Sequence, residues 1–287
     1  MNGLLIVDKP VGLTSADVVR TAKRLLRTKT GHLGTLDPFA SGLLPLCLGD
    51  GTKIAQFLNE ADKAYEGLIR LGSETDTGDP TGTVVATADV PVLSAEVLHD
   101  VAARFVGDSE QVPPMYSAIK RAGTPLYKLA RQGIEVDRQA RGIRIEHFRL
   151  SLQDATTLSF EVACSKGTYV RVLANDVAAA LGTLGHLISL RRTRFGRFTE
   201  RDAVSLERIE RGDVNLIGMS EALRDLREHA LGPAEAQRAR SGFVPLLETL
   251  PQGQPEEAMQ LLDPAGTLVA VVVCDDSGAW RYARVFS

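Results

Sequence analysis

The apolar positions of this chain repeat with two periods, and the places where one gives way to the other mark its elements. LLIVDKP, residues 4–10, is a continuous apolar run ended by a proline, the pattern of a short buried strand. From Ser15 the spacing turns helical. Val18, Val19, Ala22, Leu25 and Leu26 share one face, Ser15 is the expected N-cap, and the opposite face is basic. Leu43 to Leu48 is apolar but contains Pro45, which predicts a short strand or an edge strand. Ile54 to Leu58 suits one or two helical turns. Tyr65, Gly67, Ile69 and Leu71 then alternate, as one face of a strand does. SETDTGDPTG follows as a polar turn, Val84 and Val85 begin another strand, and Ser94 caps a helix with Val97, Leu98 and Val101 on its inner face.

Periodicity weakens in QVPPMYSAIKRAGTPLYKLARQGIEV, which reads as an excursion from the main core at about 112–141. Ile143 to Leu152 and Thr157 to Ser165 read as paired strands. GTYVRVLANDVAAALG is helical, with Val170, Leu173, Val177 and Leu181 in register and Gly182 as its C-cap. Ile209 to Ala230 is expected to include another amphipathic helix. After Gly232 the texture changes, and turns at Pro264–Gly266 and Asp276–Gly278 separate short strands. Strands often follow one another without a helix between them, so the class is α+β with a mixed or antiparallel sheet. The expected division is a larger domain at 1–231 and a small β-rich domain at 232–287.

Composition is that of an ordinary globular protein, 44% hydrophobic and 24% charged in 287 residues. No stretch reaches the roughly 18 apolar residues of a membrane span. The start, MNGLLIVDKP, lacks a basic lead and a small-residue cleavage site, so it reads as a strand and not as a signal peptide. Cys47, Cys164 and Cys274 are far apart with no CxxC pair, which suits a reducing cytoplasm better than a disulfide framework or a zinc site. Net charge is −3, but it is unevenly spread. Residues 20–29 carry Arg20, Lys23, Arg24, Arg27 and Lys29 with no acid; 120–149 holds eight basic residues against three acids; 191–201 holds Arg191, Arg192, Arg194, Arg197 and Arg201 against Glu200. The tail from Ser241 has six acids and two arginines. Such asymmetry fits a polyanion-binding face, and equally several solvated surfaces.

Several motifs are absent: GxxxxGK[ST], GxGxxG, HExxH and GxSxG. The five histidines are scattered, which argues against a catalytic zinc. DTG at Asp76–Gly78 occurs once, without the second carboxylate an aspartic protease needs, and reads as a surface turn. GHLGTLDPFASGLLPLCLGDGTK, Gly31 to Lys53, leaves one acid in a glycine-flanked loop. Asp37 before Pro38 is a common turn former. It also suits a lone nucleophilic or general-base carboxylate, which needs a cationic partner to stay ionised and aimed. Arg171, at a strand–helix junction two residues after Tyr169, is the best candidate partner. Tyr65, near the head of its strand, offers an aromatic platform. A glycoside hydrolase would need a second carboxylate across the bond, and neither Asp50 nor Glu66 is well placed for that.

The Asp37 segment resembles the catalytic motif of tRNA pseudouridine synthases, specifically the bacterial family that converts uridine 55 of the T-loop. The neighbours agree in order across residues 1–200. GLLIVDKPVGLTS is similar to the family's Lys-Pro motif, DKAYEGLIRLGSETDTGDPTG to its tyrosine strand, VPPMYSAIKRAGTPLYKLARQGIEV to its RNA-gripping insertion, and CSKGTYVRVLANDVAAALG with HLISLRRTRFG to its arginine and leucine motifs. The tail loosely resembles a PUA-like RNA-binding domain. The resemblance implies a mixed, mostly antiparallel catalytic sheet and isomerisation of a flipped-out uridine with no cofactor and no metal. By the same resemblance Asp37 is the essential aspartate, Arg171 its partner, and Tyr65 stacks on the base. Tyr169 and Leu190 line the base site, His32 supports the flipped RNA, and Lys9 and Pro10 brace the loop. Whether Asp37 attacks the sugar, attacks the ring or deprotonates the ribose stays open. The implied partner is the tRNA T-stem-loop, with the three basic segments along its backbone, for a monomeric cytoplasmic enzyme with no obligate protein partner. An RNA binder that keeps the fold without chemistry would have no reason to keep Asp37, Tyr65 and Arg171 together.

Overall fold

The run LLIV is apolar throughout because the strand it forms, Gly3–Lys9, is buried on both faces. Leu5 and Val7 enter one core, with Val18 and Ala22 of the helix Ser15–Leu26 and Leu173 and Val177 of the helix Val170–Ala180. Leu4 and Ile6 enter another, which Leu268 and Val271 of the C-terminal sheet and Phe286 just after it complete. The computed structural model describes residues 1–59, 61–121 and 123–286.

The large sheet has ten strands. Its main path runs Ala203–Val204, Gly3–Lys9, Ser41–Leu48, Gly185–Phe195, Lys63–Leu71, Thr157–Cys164, Arg141–Asp154 and Gly107–Gln111. Pairing is antiparallel except at Ala203–Val204 against Gly3–Lys9 and where Ser41 and Gly42 meet Arg191 and Arg192. That parallel contact is two residues long, so the sheet parts beyond it. The register sets Tyr65 opposite Arg192 on one side and Val162 on the other, and Gly67 opposite Leu190. The fold class read from sequence, α+β with a mixed, mostly antiparallel sheet and a small β-rich C-terminal part, is the one observed.

Between Gly107–Gln111 and Arg141–Asp154 the chain leaves the sheet, as the weak periodicity predicts. It makes a short pair, Lys120–Arg121 with Thr124–Pro125, and the one-turn helix Leu126–Ala130. The second sheet orders Arg227–Ala230, Ala258–Leu262, Leu268–Cys274 and Trp280–Val285. The helix Pro233–Arg240 adds Ala236 and Ala239 to its core.

Some local expectations are corrected. The N-cap is Thr14, not Ser15: its hydroxyl accepts from Asp17 N at 3.1 Å, and Asp17 returns a carboxylate oxygen to Thr14 N at 3.0 Å. Ser41–Leu48 is an eight-residue strand paired on both sides. Pro45 is tolerated there because its carbonyl accepts from Leu33 N (2.9 Å), just past the end of Thr30–His32, so its donorless nitrogen faces a loop and not a paired strand. Val97 is exposed, and Leu98, Val101 and Ala102 form the buried face of Ala95–Phe105. Ile209 to Ala230 holds no long helix. Gly212, with φ +78°, ends Leu206–Glu210, and the single turn Met219–Ala222 precedes the strand Arg227–Ala230.

Candidate active site

Residues 33–40, which join Thr30–His32 to Ser41–Leu48, are held at Leu36 and Pro38 by Lys9, Gly12 and Ser15. Freed from capping, Ser15 accepts from Leu36 N (2.9 Å) and donates to Leu36 O (3.0 Å). Lys9, fully buried, donates from Nζ to the carbonyls of Leu13 (2.7 Å), Pro10 (2.9 Å) and Pro38 (3.4 Å), while Gly12 N donates to Pro38 O (2.7 Å). Three carbonyls satisfy the ammonium, yet burial pulls its pKa down to about 8, against the pull of Asp37 in the other direction. Lys9 and Gly12 therefore tie the two loops together, with Pro10 contributing a carbonyl to the Lys9 ammonium.

Asp37 projects from this loop onto Arg171, in the first turn of Val170–Ala180. Arg171 Nε donates to Asp37 Oδ2 at 2.9 Å, and Nη2 lies 3.5 Å from Oδ1. The other donors go to the carbonyls of Thr77 (Nη1, 2.9 Å) and Tyr116 (Nη2, 2.6 Å). The cation is thus fixed on three sides and 5% exposed, whereas a third of the Asp37 side chain (34%) stays open. That asymmetry is what a reactive carboxylate needs: an immobile counter-charge behind it and access in front. Burial pushes the Asp37 pKa up, Arg171 pulls it down, and Asp79, 3.9 Å from Arg171 Nε, pushes it up again.

Asp79 and the carbonyl of Thr77 belong to the turn between Ser73–Thr75 and Val84–Thr87, expected to lie at the surface. Asp79 is instead buried and capped by Thr77 Oγ1 (2.8 Å), Thr81 N (2.9 Å) and Thr81 Oγ1 (2.5 Å). Gly78, with φ +69°, passes close to Arg171: a Cβ there would stand 3.6 Å from the arginine Cβ.

Tyr65 is buried and faces Arg192 across the strand pair. Burial pushes its pKa up, and the guanidinium beside the phenol pulls against that. Tyr169 is the N-cap of the arginine helix, locked by Gln111, which accepts from Tyr169 N (2.7 Å) and donates to its carbonyl (3.2 Å). Leu190 is buried opposite Gly67, where a Cβ would strike Ser189 O at 2.3 Å. Leu190 and Phe39 line a recess of about 480 Å³ that opens where the sheet parts, bordered by Glu66, Arg149, Glu161 and Arg191. His32 stands at the far end of the loop, with Nε2 3.3 Å from Thr35 Oγ1, and burial and Arg192 lower its pKa. The structure therefore joins Asp37 to Arg171 directly, sets Lys9 and Pro10 beneath the loop, and leaves His32 outside that network. Among the described residues no group of three or more His, Cys, Asp or Glu side chains is placed to hold a metal, and no helix is long and apolar enough to cross a membrane.

The segment 191–201 is not the free cationic strip its composition suggests. Arg191 pairs with Asp8 (3.0 Å) and Glu200 (2.6 Å), Arg194 with Glu146 (3.5 Å) and Arg197 with Glu221 (2.5 Å), while Arg192 is buried. Nothing in the sequence marks Asp79 or the Tyr116 and Thr77 carbonyls as site groups, and Arg192 reads there only as one of the basic residues of 191–201. Only Arg192 left a signal: it shares the strand face of Leu190, two residues away.

Residues 23–170 match the model of the TruB family pseudouridylate synthase N-terminal domain, and 171–235 that of the tRNA pseudouridylate synthase B C-terminal domain. A protein of Aromatoleum aromaticum named tRNA pseudouridine synthase B is 54% identical over 211 residues, 73% of this chain and 68% of its own. The protein of that name from Geobacter sulfurreducens is 41% identical across the whole of both chains. A chain of a Cbf5–Nop10–Gar1 complex superposes with a TM-score of 0.75 at 24% identity, over 99% of this chain and 85% of that one, and so shares its fold.

Proposed function

Since the chain belongs to the TruB family of pseudouridylate synthases, we propose that it converts uridine 55 in the T-loop of tRNA to pseudouridine, with Asp37 as the essential group. The observation that carries the catalytic assignment is the ion pair of a buried, triply anchored Arg171 with a carboxylate left one-third open (34%). The reaction is an isomerisation: the N1–C1′ bond breaks, C5 joins C1′, the proton on C5 leaves and one is taken up at N1. The target uridine must be flipped out first, at a few kcal/mol of lost stacking. In this reading Arg171 keeps Asp37 ionised and aimed at the flipped nucleotide. Tyr65 lies against the base, Tyr169 and Leu190 wall its site, and His32 supports the displaced loop.

The partner is the T-stem-loop, gripped by the insertion at 112–141 and by the basic face of Ser15–Leu26, with phosphate contacts that make binding salt-dependent. Residues 1–231 carry the chemistry, and 232–287, whose sheet takes its first strand from Arg227–Ala230, form a small accessory RNA-binding domain. The enzyme works in the cytoplasm as a monomer. Incubation with unmodified tRNA, followed by mapping of pseudouridine at nucleotide resolution, tests this. One new pseudouridine at position 55 is expected; RNA binding without any modification, or modification elsewhere, would refute it.

A further inference from the structure

Among the described residues Arg192 is the largest fully buried side chain, at 1% exposure. Its neighbour Arg191 points to the opposite face and ends on Asp8 and Glu200. Arg192 has no such counter-ion: among the described residues no carboxylate lies within ion-pair distance of it. Its Nε donates to Leu43 O (2.7 Å) and Nη2 to Gly34 O (2.8 Å). The guanidinium lies over the Phe195 ring, 5.4 Å from its centroid, and its remaining side faces the Tyr65 hydroxyl. Two glycines of the Asp37 segment make this possible. A Cβ at Gly34 would stand 3.1 Å from Arg192 Nη1, and one at Gly42 would strike Arg192 O at 2.2 Å.

An unpaired buried cation is costly, and neutral donors could satisfy two carbonyls at less cost. A fixed positive charge is useful where negative charge develops beside it. We propose that Arg192 is a positioning residue for the isomerisation, locking the 33–40 loop and the Tyr65 hydroxyl into one geometry and stabilising negative charge on that oxygen as it relays the proton leaving C5. This rests on the reading of Asp37 and Tyr65 given above. The relay balances in two steps: the Tyr65 phenol gives its proton to N1, which leaves a phenolate beside Arg192, and that oxygen then takes the proton that leaves C5, while Arg192, donor only, exchanges none. The titratable and charged groups facing Tyr65 are Arg192, Cys164 and Asp37. The first favours the ionised phenol and the other two oppose it.

The test is single-turnover conversion of a T-stem-loop RNA by the full chain across pH, with binding measured on the same RNA, for wild type, R192Q and R192K. R192Q should lose about 100-fold in rate, as when one preorganised donor is removed, with RNA affinity unchanged. Its falling alkaline limb should move to higher pH, because the neutral phenol is the form that starts the relay and it has lost the cation that favours its ionised form. R192K should recover part of the rate but not all, since a point-like ammonium cannot reproduce the planar fork that reaches Leu43 O, Gly34 O and the phenol from fixed positions. A folded R192Q at wild-type rate, or one slowed with an unmoved pH profile, overturns the proposal. Should R192Q not fold, R192K decides, and wild-type rates at every pH overturn it. A wild-type protein that converts no uridine would instead sink the functional reading itself.

Discussion

Leu-Asp-Pro occurs twice in this chain, at 36–38 and 262–264, and the two aspartates have opposite fates. Asp263 serves its own turn. One oxygen accepts from Ala265 N (3.0 Å) and Thr267 N (2.9 Å), the other meets Arg240 at 2.6 Å, and these bonds hold its pKa below the usual carboxylate range. Asp37 gives its loop nothing of the kind. Among the described residues no backbone N–H donates to its carboxylate, and its partner, Arg171, is 134 positions away. The loop is held instead by Ser15 and Lys9, which leaves the carboxylate unspent. A turn-forming aspartate is one whose oxygens face its own backbone. Asp37 has the sequence of a turn former and the surroundings of a reactive group, with a pKa raised by burial.

Substitutions can break this contrast. The largest effect is expected from Asp37→Asn, which should cost roughly 10⁴-fold in single-turnover rate, as loss of a single catalytic group does, with tRNA binding and melting temperature nearly unchanged. Asp263→Asn should do the reverse, lowering the melting temperature while conversion continues at the wild-type rate. Arg171→Lys should cost about 100-fold in rate, because an ammonium cannot hold Asp37, Thr77 O and Tyr116 O in one plane and small misplacements are expensive. Equal activity in that variant would show that charge alone suffices.

The pH responses should also diverge. Asp37 carries a raised pKa, so activity that needs its carboxylate should fall on acidification at a pH above the ordinary aspartate range. Asp263 carries a lowered one, so its contribution to stability is full above the unfolded pKa and is lost only as pH falls through the depressed folded value. A rate profile and an acid melt on the same preparation measure both. The smallest effect separates Thr14 from Ser15. Thr14→Ala removes a cap worth about 1 kcal/mol and should spare the reaction. Ser15→Ala strands a buried N–H and C=O at Leu36, should cost about 1–3 kcal/mol, and should slow conversion as well.

What could be read from the sequence follows from how local each signal is. Gly3–Lys9, Lys63–Leu71 and Thr157–Cys164 announce themselves by period, because burial imposes the pattern residue by residue. Asp37, Tyr65 and Arg171 could be named as candidates from residue type and family resemblance. Their geometry could not, because it depends on strand register and on where the arginine helix begins. Asp79 was hidden in a run of turn formers, since nothing in DTGDPTG distinguishes a carboxylate that caps outward from one that faces a buried arginine. Arg192 was hidden by company: in RRTR it reads as one more surface cation, and only the strand's alternation separates it from Arg191.

If Asp37 acts on the nucleotide and does not merely shape the loop, its loss must stop the chemistry and spare binding. The most direct test uses tRNA carrying tritium at C5 of uridine, because the reaction expels the C5 proton. With enzyme in excess, the wild-type protein should release the tritium of one T-loop uridine, and D37N should bind the same RNA equally well and release none. Tritium release by D37N at the wild-type rate would show that Asp37 only shapes its loop.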